Sequence, residues 1–166
     1  MAVERAKGLA AIALGSNLNS AAGDREANLR EAIERLGTLG EVRAVSSFYD
    51  TEPVGYTAQP RFLNGALLLE TELPPEKLIR ALLAIERAMG RVRDAAAPKG
   101  PRVIDLDLLL YGDAVMNTEE LTLPHPAIAE REFVLGPLAE IAPGMIHPVL
   151  GLTVSEMLDR LRTSSM

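Results

Sequence analysis

The sequence contains no cysteine and no tryptophan, and only two histidines are present among its 166 residues. Without cysteine, the chain can form neither a disulfide nor a thiolate metal site, which is compatible with a reducing, cytoplasmic location. A cysteine nucleophile is excluded, and a serine triad has little support because no Gly-x-Ser-x-Gly motif is present. No stretch approaches the roughly 18 consecutive apolar residues that a membrane span requires. We therefore expect no membrane partner.

An excess of positive charge is also missing. The net charge is −6, which argues against nucleic-acid binding. Basic residues are nevertheless concentrated between Arg87 and Ile104, where five cations accompany a single anion. A basic region of this size in an acidic chain favours a compact anionic ligand over an extended polyanion. The alternative is that these residues are surface charges in a loop.

Hydrophobic periodicity predicts a single α+β domain over residues 1–166. Strands are predicted at 9–14, 42–49, 62–71 and 102–111, and helices after an N-cap at Asp24 and from Pro75 to a stop at Gly90. The order β-α-β-β-α-β is that of the ferredoxin-like fold, an antiparallel sheet with both helices on one face. We expect the other face to be free for a ligand. A C-terminal extension is predicted to contain a short ribbon within 115–123, helical or irregular structure within 127–142, and a helix capped by Thr153 or Ser155.

Two aspartates in the last predicted strand give the strongest indication of chemistry. Because side chains alternate along a strand, Asp105 and Asp107 should project from one face, roughly 6–7 Å apart. The residues expected on the opposite face are apolar: Ile104, Leu106, Leu108 and Leu110. Two carboxylates with Arg102 beside them predict a Mg²⁺ site that holds a phosphate chain. The alternative is that the Asp-x-Asp motif marks only the solvated face of an antiparallel sheet.

Aromatic residues are scarce, at 4% of the chain, and two phenylalanines are candidates for a binding site. They are Phe62 and Phe133. Phe62 and Asn64 should share a strand face, so they could stack a flat heterocycle and bond its amide edge. Core packing is the alternative for both rings. His125, between two prolines, is either a surface turn residue or a phosphate contact.

Several short motifs occur in the order in which one enzyme family carries them. They are 13–18 (ALGSNL), 46–49 (SSFY), 62–64 (FLN), 90–93 (GRVR), 100–107 (GPRVIDLD) and 123–126 (LPHP). Together they resemble the 6-hydroxymethyl-7,8-dihydropterin pyrophosphokinase family of folate biosynthesis, and the likeness covers nearly the whole chain. The resemblance implies a monomeric, ferredoxin-like enzyme that transfers pyrophosphate from ATP to the hydroxymethyl group of the pterin and releases AMP.

The resemblance also implies roles for individual residues. Asp105 and Asp107 resemble the ligands of two Mg²⁺ ions. Arg91 and Arg102 resemble arginines that hold and stabilise the triphosphate. The positions that match pterin contacts are Thr51, Val54, Phe62, Asn64 and Phe133, and those that match further nucleotide contacts are Glu86, His125 and Arg131. The segments that resemble mobile loops closing over the substrates lie around Asn17, around Gly55 and at 94–99.

The sequence departs from some members of the family at three positions, Ala84, Lys99 and Glu120, whereas the aspartates and arginines of the motifs are intact. Two other classes are compatible with a ferredoxin-like sheet. A two-metal nucleotidyl transferase or cyclase would form a nucleotide bond and release pyrophosphate. An RNA-recognition domain would require a basic face, which the acidic charge disfavours.

Overall fold

The computed structural model describes residues 7–20, 23–52, 60–90 and 102–164. The strands are β1 (Gly8–Ser16), β2 (Glu41–Val45), β3 (Tyr49–Thr51), β4 (Phe62–Thr71), β5 (Asp105–Tyr111), β6 (Met116–Asn117) and β7 (Thr122–Leu123). The helices are α1 (Arg25–Leu36), α2 (Pro75–Ala88), α3 (Glu132–Ile141) and α4 (Val154–Ser164), with a short 3₁₀ helix at Ile128–Glu130. Within these ranges, no helix has both the length and the apolar character that crossing a bilayer demands.

The central sheet has the strand order β2-β4-β1-β5, and β3 also pairs with β4. Every pairing is antiparallel. β1 lies beside β4 along its whole length, from Gly8 opposite Thr71 to Ser16 opposite Leu63. Because α1 connects β1 to β2 and α2 connects β4 to β5, the predicted α+β, ferredoxin-like arrangement is confirmed.

α1 and α2 pack on the same face of the sheet, as predicted. The side chain of Asp24 accepts a hydrogen bond from the backbone N–H of Ala27 at 3.0 Å and so caps the start of α1. α2 begins with Pro75, and Gly90, with a φ of +95°, follows its end. The core on this face combines residues of α2 with residues of the sheet, including Leu78, Leu82, Ile85, Ile12, Leu14, Leu67 and Leu69.

The second face of the sheet is not free, contrary to the prediction, because the C-terminal extension covers much of it. Alternate residues of β1 and β4 enter a second core with α3 and α4, which includes Ala11, Ala13, Ala66, Leu68, Leu135, Leu138, Met157 and Leu158. The predicted cap at Thr153 is present: its Oγ1 accepts a hydrogen bond from the backbone N–H of Glu156 at 3.0 Å. A ligand can therefore reach this face only where the extension leaves it open.

The far end of α3 is anchored to the connection between β2 and β3. Glu140 Oε2 accepts a hydrogen bond from the backbone N–H of Ser47 at 2.8 Å, and Glu140 Oε1 accepts one from the hydroxyl of Tyr49 at 2.5 Å. These bonds hold the pKa of the Glu140 carboxyl below its usual value, first through Tyr49 and then through the Ser47 backbone. The N-terminal end of α3 carries Phe133, a predicted site residue, and its C-terminal end carries Glu140. The helix therefore runs from the predicted site to the edge of the sheet.

A β-bulge in β5 makes one prediction about its side chains wrong. The register with β1 shifts between Ala11, which pairs with Leu110, and Ile12, which pairs with Leu108. Leu109 is the extra residue, and Leu110 therefore joins the second core instead of the core beneath α1 and α2. The residues that do lie beneath those helices, as predicted, are Ile104, Leu106 and Leu108.

The single strand predicted at 42–49 is divided into β2 and β3 by residues 46–48. Ser46 still bonds to β4, since its N–H donates to the carbonyl of Ala66 at 2.9 Å and its Oγ accepts from the N–H of Ala66 at 2.8 Å. A side-chain hydroxyl thus replaces a backbone carbonyl in the ladder. Beyond this point the chain pairs again, with Thr51 opposite Phe62.

Candidate active site

A pocket of about 330 Å³ lies at the end of the sheet where β1 ends and β5 begins. Ten of the sequence-predicted site residues line it: Thr51, Phe62, Asn64, Glu86, Arg102, Asp105, Asp107, His125, Arg131 and Phe133. The other two, Val54 and Arg91, lie outside the described residues, as do Gly55 and the segment 94–99. The fold therefore gathers in one cavity every predicted site residue that the structure describes.

β1 separates the acidic side of the pocket from the aromatic side. Gly15 pairs with Asn64 of β4 on one flank and with Asp105 of β5 on the other. Because neighbouring strands are about 4.8 Å apart, the backbones of Asn64 and Asp105 are roughly 10 Å from each other across the sheet. A Cβ on Gly15 would lie 3.0 Å from the side-chain oxygen of Asn64 and 3.7 Å from the Phe62 ring. Because Gly15 has no side chain, the space between the acidic side and the aromatic side of the pocket stays open.

The two aspartates both line the pocket, as the strand period predicts. Arg102 Nη1 lies 3.0 Å from Asp105 Oδ2, in an ion pair whose side chains are 19% and 21% exposed. Burial, and after it the Asp105 carboxylate, raises the pKa of Asp107 to about 7. The two carboxylates repel each other in a poorly hydrated place, and a divalent cation would relieve that repulsion.

The donor set fits Mg²⁺ in one specific way. Among the residues that the structure describes, no three histidine, aspartate or glutamate side chains come together as a complete metal site. Mg²⁺ commonly takes one or two carboxylates and completes its shell with water and phosphate oxygens. The Asp105–Asp107 pair suits a cation that is bound jointly with a phosphate-bearing ligand.

Glu86 supports the strand that carries the aspartates. It lies on α2, is only 2% exposed, and its Oε2 accepts a hydrogen bond from the backbone N–H of Leu106 at 2.8 Å. Its carboxylate thus forms part of the pocket wall and at the same time holds β5 against α2. The second of these roles was not predicted from the sequence.

His125 lies on the pocket wall in a defined protonation state. Its Nδ1 accepts a hydrogen bond from the backbone N–H of Ala127 at 3.1 Å, so the proton of the neutral ring is on Nε2. Burial, followed by the charge of Arg131, lowers the pKa of His125. At neutral pH the ring is an uncharged hydrogen-bond donor, a group that can bind a phosphate or a hydroxyl oxygen.

The aromatic side of the pocket combines two rings with two polar side chains. Phe62 and Asn64 lie on the same face of β4, and Phe133 comes from the first turn of α3. The amide of Asn64 donates a hydrogen bond to the hydroxyl of Thr51, which orients both groups. The guanidinium carbon of Arg131 lies 5.8 Å from the centre of the Phe133 ring.

Two apolar residues of the pocket were missed by sequence reasoning. Ile79 and Leu83 of α2 line it on the same side as Glu86. They follow one another at helical spacing beside the buried stripe of α2, and both are half-buried. That combination was the available signal, since a second apolar row next to a core stripe marks a surface that something else covers.

The α+β sheet brings an arginine, a carboxylate pair and two aromatic rings together in one pocket. The family model described as 7,8-dihydro-6-hydroxymethylpterin-pyrophosphokinase (HPPK) matches residues 11–143. The chain belongs to this family. The "2-amino-4-hydroxy-6-hydroxymethyldihydropteridine pyrophosphokinase" of Methylorubrum extorquens is 45% identical over 93% of this chain and 94% of its own length.

Other relatives are much longer than this chain. The "Folic acid synthesis protein fol1" of Schizosaccharomyces pombe is 42% identical over 92% of this chain, which spans only 20% of that protein. The crystal structure of wild-type HPPK-DHPS of Plasmodium falciparum with pteroate has a similar fold, with a TM-score of 0.70 and 16% identity over 95% of this chain and 45% of that one. At this identity the structural likeness supports the fold alone.

Proposed function

We propose that this chain transfers the terminal diphosphoryl group of ATP to 6-hydroxymethyl-7,8-dihydropterin in folate biosynthesis and releases AMP. The observation that carries the proposal is the single pocket in which the Asp105–Asp107 pair faces Asn64 and the two phenylalanines across Gly15. Membership of the family and the name of the Methylorubrum extorquens relative support it.

The reaction is a displacement at the β-phosphorus of ATP. The hydroxymethyl oxygen of the pterin forms a bond to this phosphorus, and the bond to the oxygen that bridges the α- and β-phosphates breaks. AMP departs with that electron pair, and the hydroxyl proton is lost to water. Such transfers are accelerated mainly by positioning the reactants and by neutralising charge on phosphate oxygens.

On the triphosphate side, Asp105 and Asp107 are proposed to hold two Mg²⁺ ions. When bound, Mg²⁺ supplies positive charge to the phosphate oxygens. Arg102, already oriented by its 3.0 Å ion pair with Asp105, is proposed to donate from its guanidinium to the same oxygens. Arg91 is assigned a similar role from the family likeness alone.

The remaining nucleotide contacts are proposed for His125, Arg131 and Glu86. His125 donates from Nε2, Arg131 adds a permanent charge, and Glu86 keeps β5 in place beside the nucleotide. On the pterin side, Phe62 and Phe133 are proposed to stack the ring from opposite faces. Asn64 bonds the amide edge of the pterin, and Thr51 and Val54 complete this side.

We further propose that residues 1–166 form one domain that acts as a monomer in the cytoplasm, without nucleic-acid or membrane partners. The described strands β1 to β5 share one sheet, and both cores lie against it, which supports a single folding unit.

The decisive experiment follows both products. Incubation with ATP, Mg²⁺ and the reduced pterin should increase the mass of the pterin by one diphosphate and yield an equal amount of AMP. Asp107→Ala should abolish both, whereas Asp113→Ala, which changes an exposed turn residue, should retain both. Release of free pyrophosphate with the nucleotide joined to an acceptor would instead indicate a nucleotidyl transferase and would contradict the proposal.

A further inference from the structure

Glu140 lies outside the pocket, on the same face of α3 as Phe133, which lines it. The two residues are separated by two helical turns, or about 10 Å along the helix axis, so their side chains project in the same direction. The carboxylate of Glu140 accepts three hydrogen bonds from the start of β3 and the residues before it. The donors are the backbone N–H of Ser47 at 2.8 Å, the hydroxyl of Ser47 at 3.2 Å and the hydroxyl of Tyr49.

β3 lies beside the strand segment that carries the second ring. Thr51 is directly opposite Phe62 in the antiparallel ladder, so the two side chains project from one face of the sheet. Tyr49 is two residues from Thr51 along β3 and projects from that face as well. The bonds of Glu140 therefore join the helix that carries Phe133 to the strand that pairs with Phe62.

The packing beneath α3 fixes the position of the helix along its own axis only weakly. β1 and β4 contribute four buried residues to the core on this face, and three of them are the alanines Ala11, Ala13 and Ala66. Alanines form a surface with shallow grooves, and the burial of apolar surface has no preferred direction. Hydrogen bonds to a carboxylate are directional and can fix what this packing leaves open.

We propose that Glu140 is a positioning residue that sets the separation of the Phe62 and Phe133 rings and thereby the affinity for the pterin. The inference rests on the proposed function, in which these rings stack the pterin from opposite faces. A gap of about 1 Å between two surfaces forfeits up to about half of their dispersion energy. A small displacement of α3 therefore weakens the stacking even though no residue of the pocket has changed.

The test measures two dissociation constants by calorimetry. One is the Kd of Mg²⁺ with α,β-methylene ATP, whose α–β linkage cannot be broken, and the other is the Kd of the pterin when this analogue is saturating. Glu140→Ala should raise the Kd of the pterin about tenfold. The Kd of the nucleotide should change by less than about threefold, because Arg131 is the only proposed nucleotide contact that adjoins α3.

Two conservative variants separate the length of the side chain from its charge. Glu140→Gln keeps the length, and its amide can accept from Ser47 and donate to the hydroxyl oxygen of Tyr49, so its Kd for the pterin should stay near that of wild type. Glu140→Asp keeps the charge but is one methylene shorter, so it should resemble Glu140→Ala. The opposite order, with aspartate near wild type and glutamine impaired, would overturn the inference.

The matched control is Glu156→Ala in the first turn of α4. The Oε1 of Glu156 accepts a hydrogen bond from the backbone N–H of Thr153 at 3.0 Å. The variant therefore loses a bond of the same kind, between an exposed carboxylate and a backbone N–H, elsewhere in the C-terminal extension. It should melt at a lower temperature with an unchanged Kd for the pterin, and a rise equal to that of Glu140→Ala would overturn the inference.

Hydrogen exchange on the wild-type protein tests the inference without any variant. If the bond from the Ser47 N–H to Glu140 favours pterin binding, linkage requires that the bound pterin favours this bond. Addition of the pterin to the nucleotide complex should therefore slow exchange of the Ser47 amide proton, and an unchanged rate would overturn the inference. Equal pterin affinity of wild type and Glu140→Ala would overturn the inference and leave the proposed function standing. A wild-type protein that binds no pterin would overturn both.

Discussion

The backbone N–H of Leu106, the residue between the two aspartates, donates a hydrogen bond to the buried carboxylate of Glu86 at 2.8 Å. This bond ties the acidic segment of β5 to α2 at the point where the aspartates leave the strand. Among the strands that the structure describes, β5 is the last in the sheet order and has a neighbour on one flank only. The carboxylate of Glu86 supplies support on the flank where none of these strands lies.

Two replacements of Glu86 should distinguish the effect of its hydrogen bond to β5 from the effect of its negative charge. Glu86→Ala leaves the Leu106 amide without this acceptor, so we expect the free energy of unfolding to fall by about 1–3 kcal/mol and turnover to fall with it. Glu86→Gln keeps an acceptor oxygen and should retain most of the stability. Urea denaturation and steady-state kinetics on both variants provide the measurement. Equal stability of the two variants would contradict the bond's importance.

Asp107→Asn should remove activity without cost to stability. Loss of a metal ligand should reduce kcat by more than the roughly 10–100-fold that loss of an outer-shell partner costs. In the absence of Mg²⁺ the variant should be at least as stable as wild type, because a buried carboxylate beside Asp105 has been neutralised. Denaturation at pH 8 with EDTA measures this. A clearly less stable variant would show that the carboxylate has a structural partner of greater importance.

Mg²⁺ and nucleotide should stabilise the protein only together. The described residues offer two adjacent carboxylates and no complete metal site, so each ligand alone should shift the melting temperature little. Mg²⁺ with α,β-methylene ATP, at about 100-fold above its Kd, should add about 2.7 kcal/mol to the free energy of unfolding. Differential scanning fluorimetry, with EDTA to reverse the effect, records it. A full shift with nucleotide and EDTA would argue against the metal.

Arg102→Lys should slow the chemical step while leaving pterin affinity nearly unchanged. Lysine keeps the charge but cannot bond Asp105 and a phosphate oxygen with one planar fork, so we expect a fall in kcat of roughly 10²-fold. Arg80→Lys is the matched control, because Arg80 makes a two-point pair with Glu120, at 2.6 and 2.9 Å, on the exposed surface. A similar loss in both variants, or a parallel loss of pterin affinity, would point to a structural arginine.

Much of the sheet was predictable because its strands are short, mainly apolar segments bounded by turn residues. The predicted bounds of β4, 62–71, are those observed, since most of its residues are apolar and Pro74 and Pro75 follow it closely. Leu110 was assigned to the wrong face because nothing in a run of three leucines reveals which residue forms the bulge. The break at Ser46 was missed because its hydroxyl takes the place of a carbonyl, a substitution that depends on Ala66 of another strand.

The site was predictable where chemistry is concentrated in a short span, as at Asp105 and Asp107. The covering of the second face by α3 and α4 was not, because it depends on small residues such as Ala13 and Ala66 lying opposite helices that are remote in sequence. Asn17 was recognised only as part of a motif and of a segment that resembles a mobile loop. Its bonds to Pro60 and Arg102 join segments whose proximity exists only after the sheet has formed.

Glu140 has a practical consequence for protein engineering. Glu140 accepts hydrogen bonds from Ser47 and Tyr49 at the C-terminal end of α3, and Phe133 lines the pocket at the N-terminal end of the same helix. The bonds of Glu140 therefore help to set the position of the Phe133 ring. If the C-terminal extension is grafted onto another ferredoxin-like scaffold, Ser47 and Tyr49 have to be transferred with it. Without them, the Phe133 ring would not take its position over the sheet.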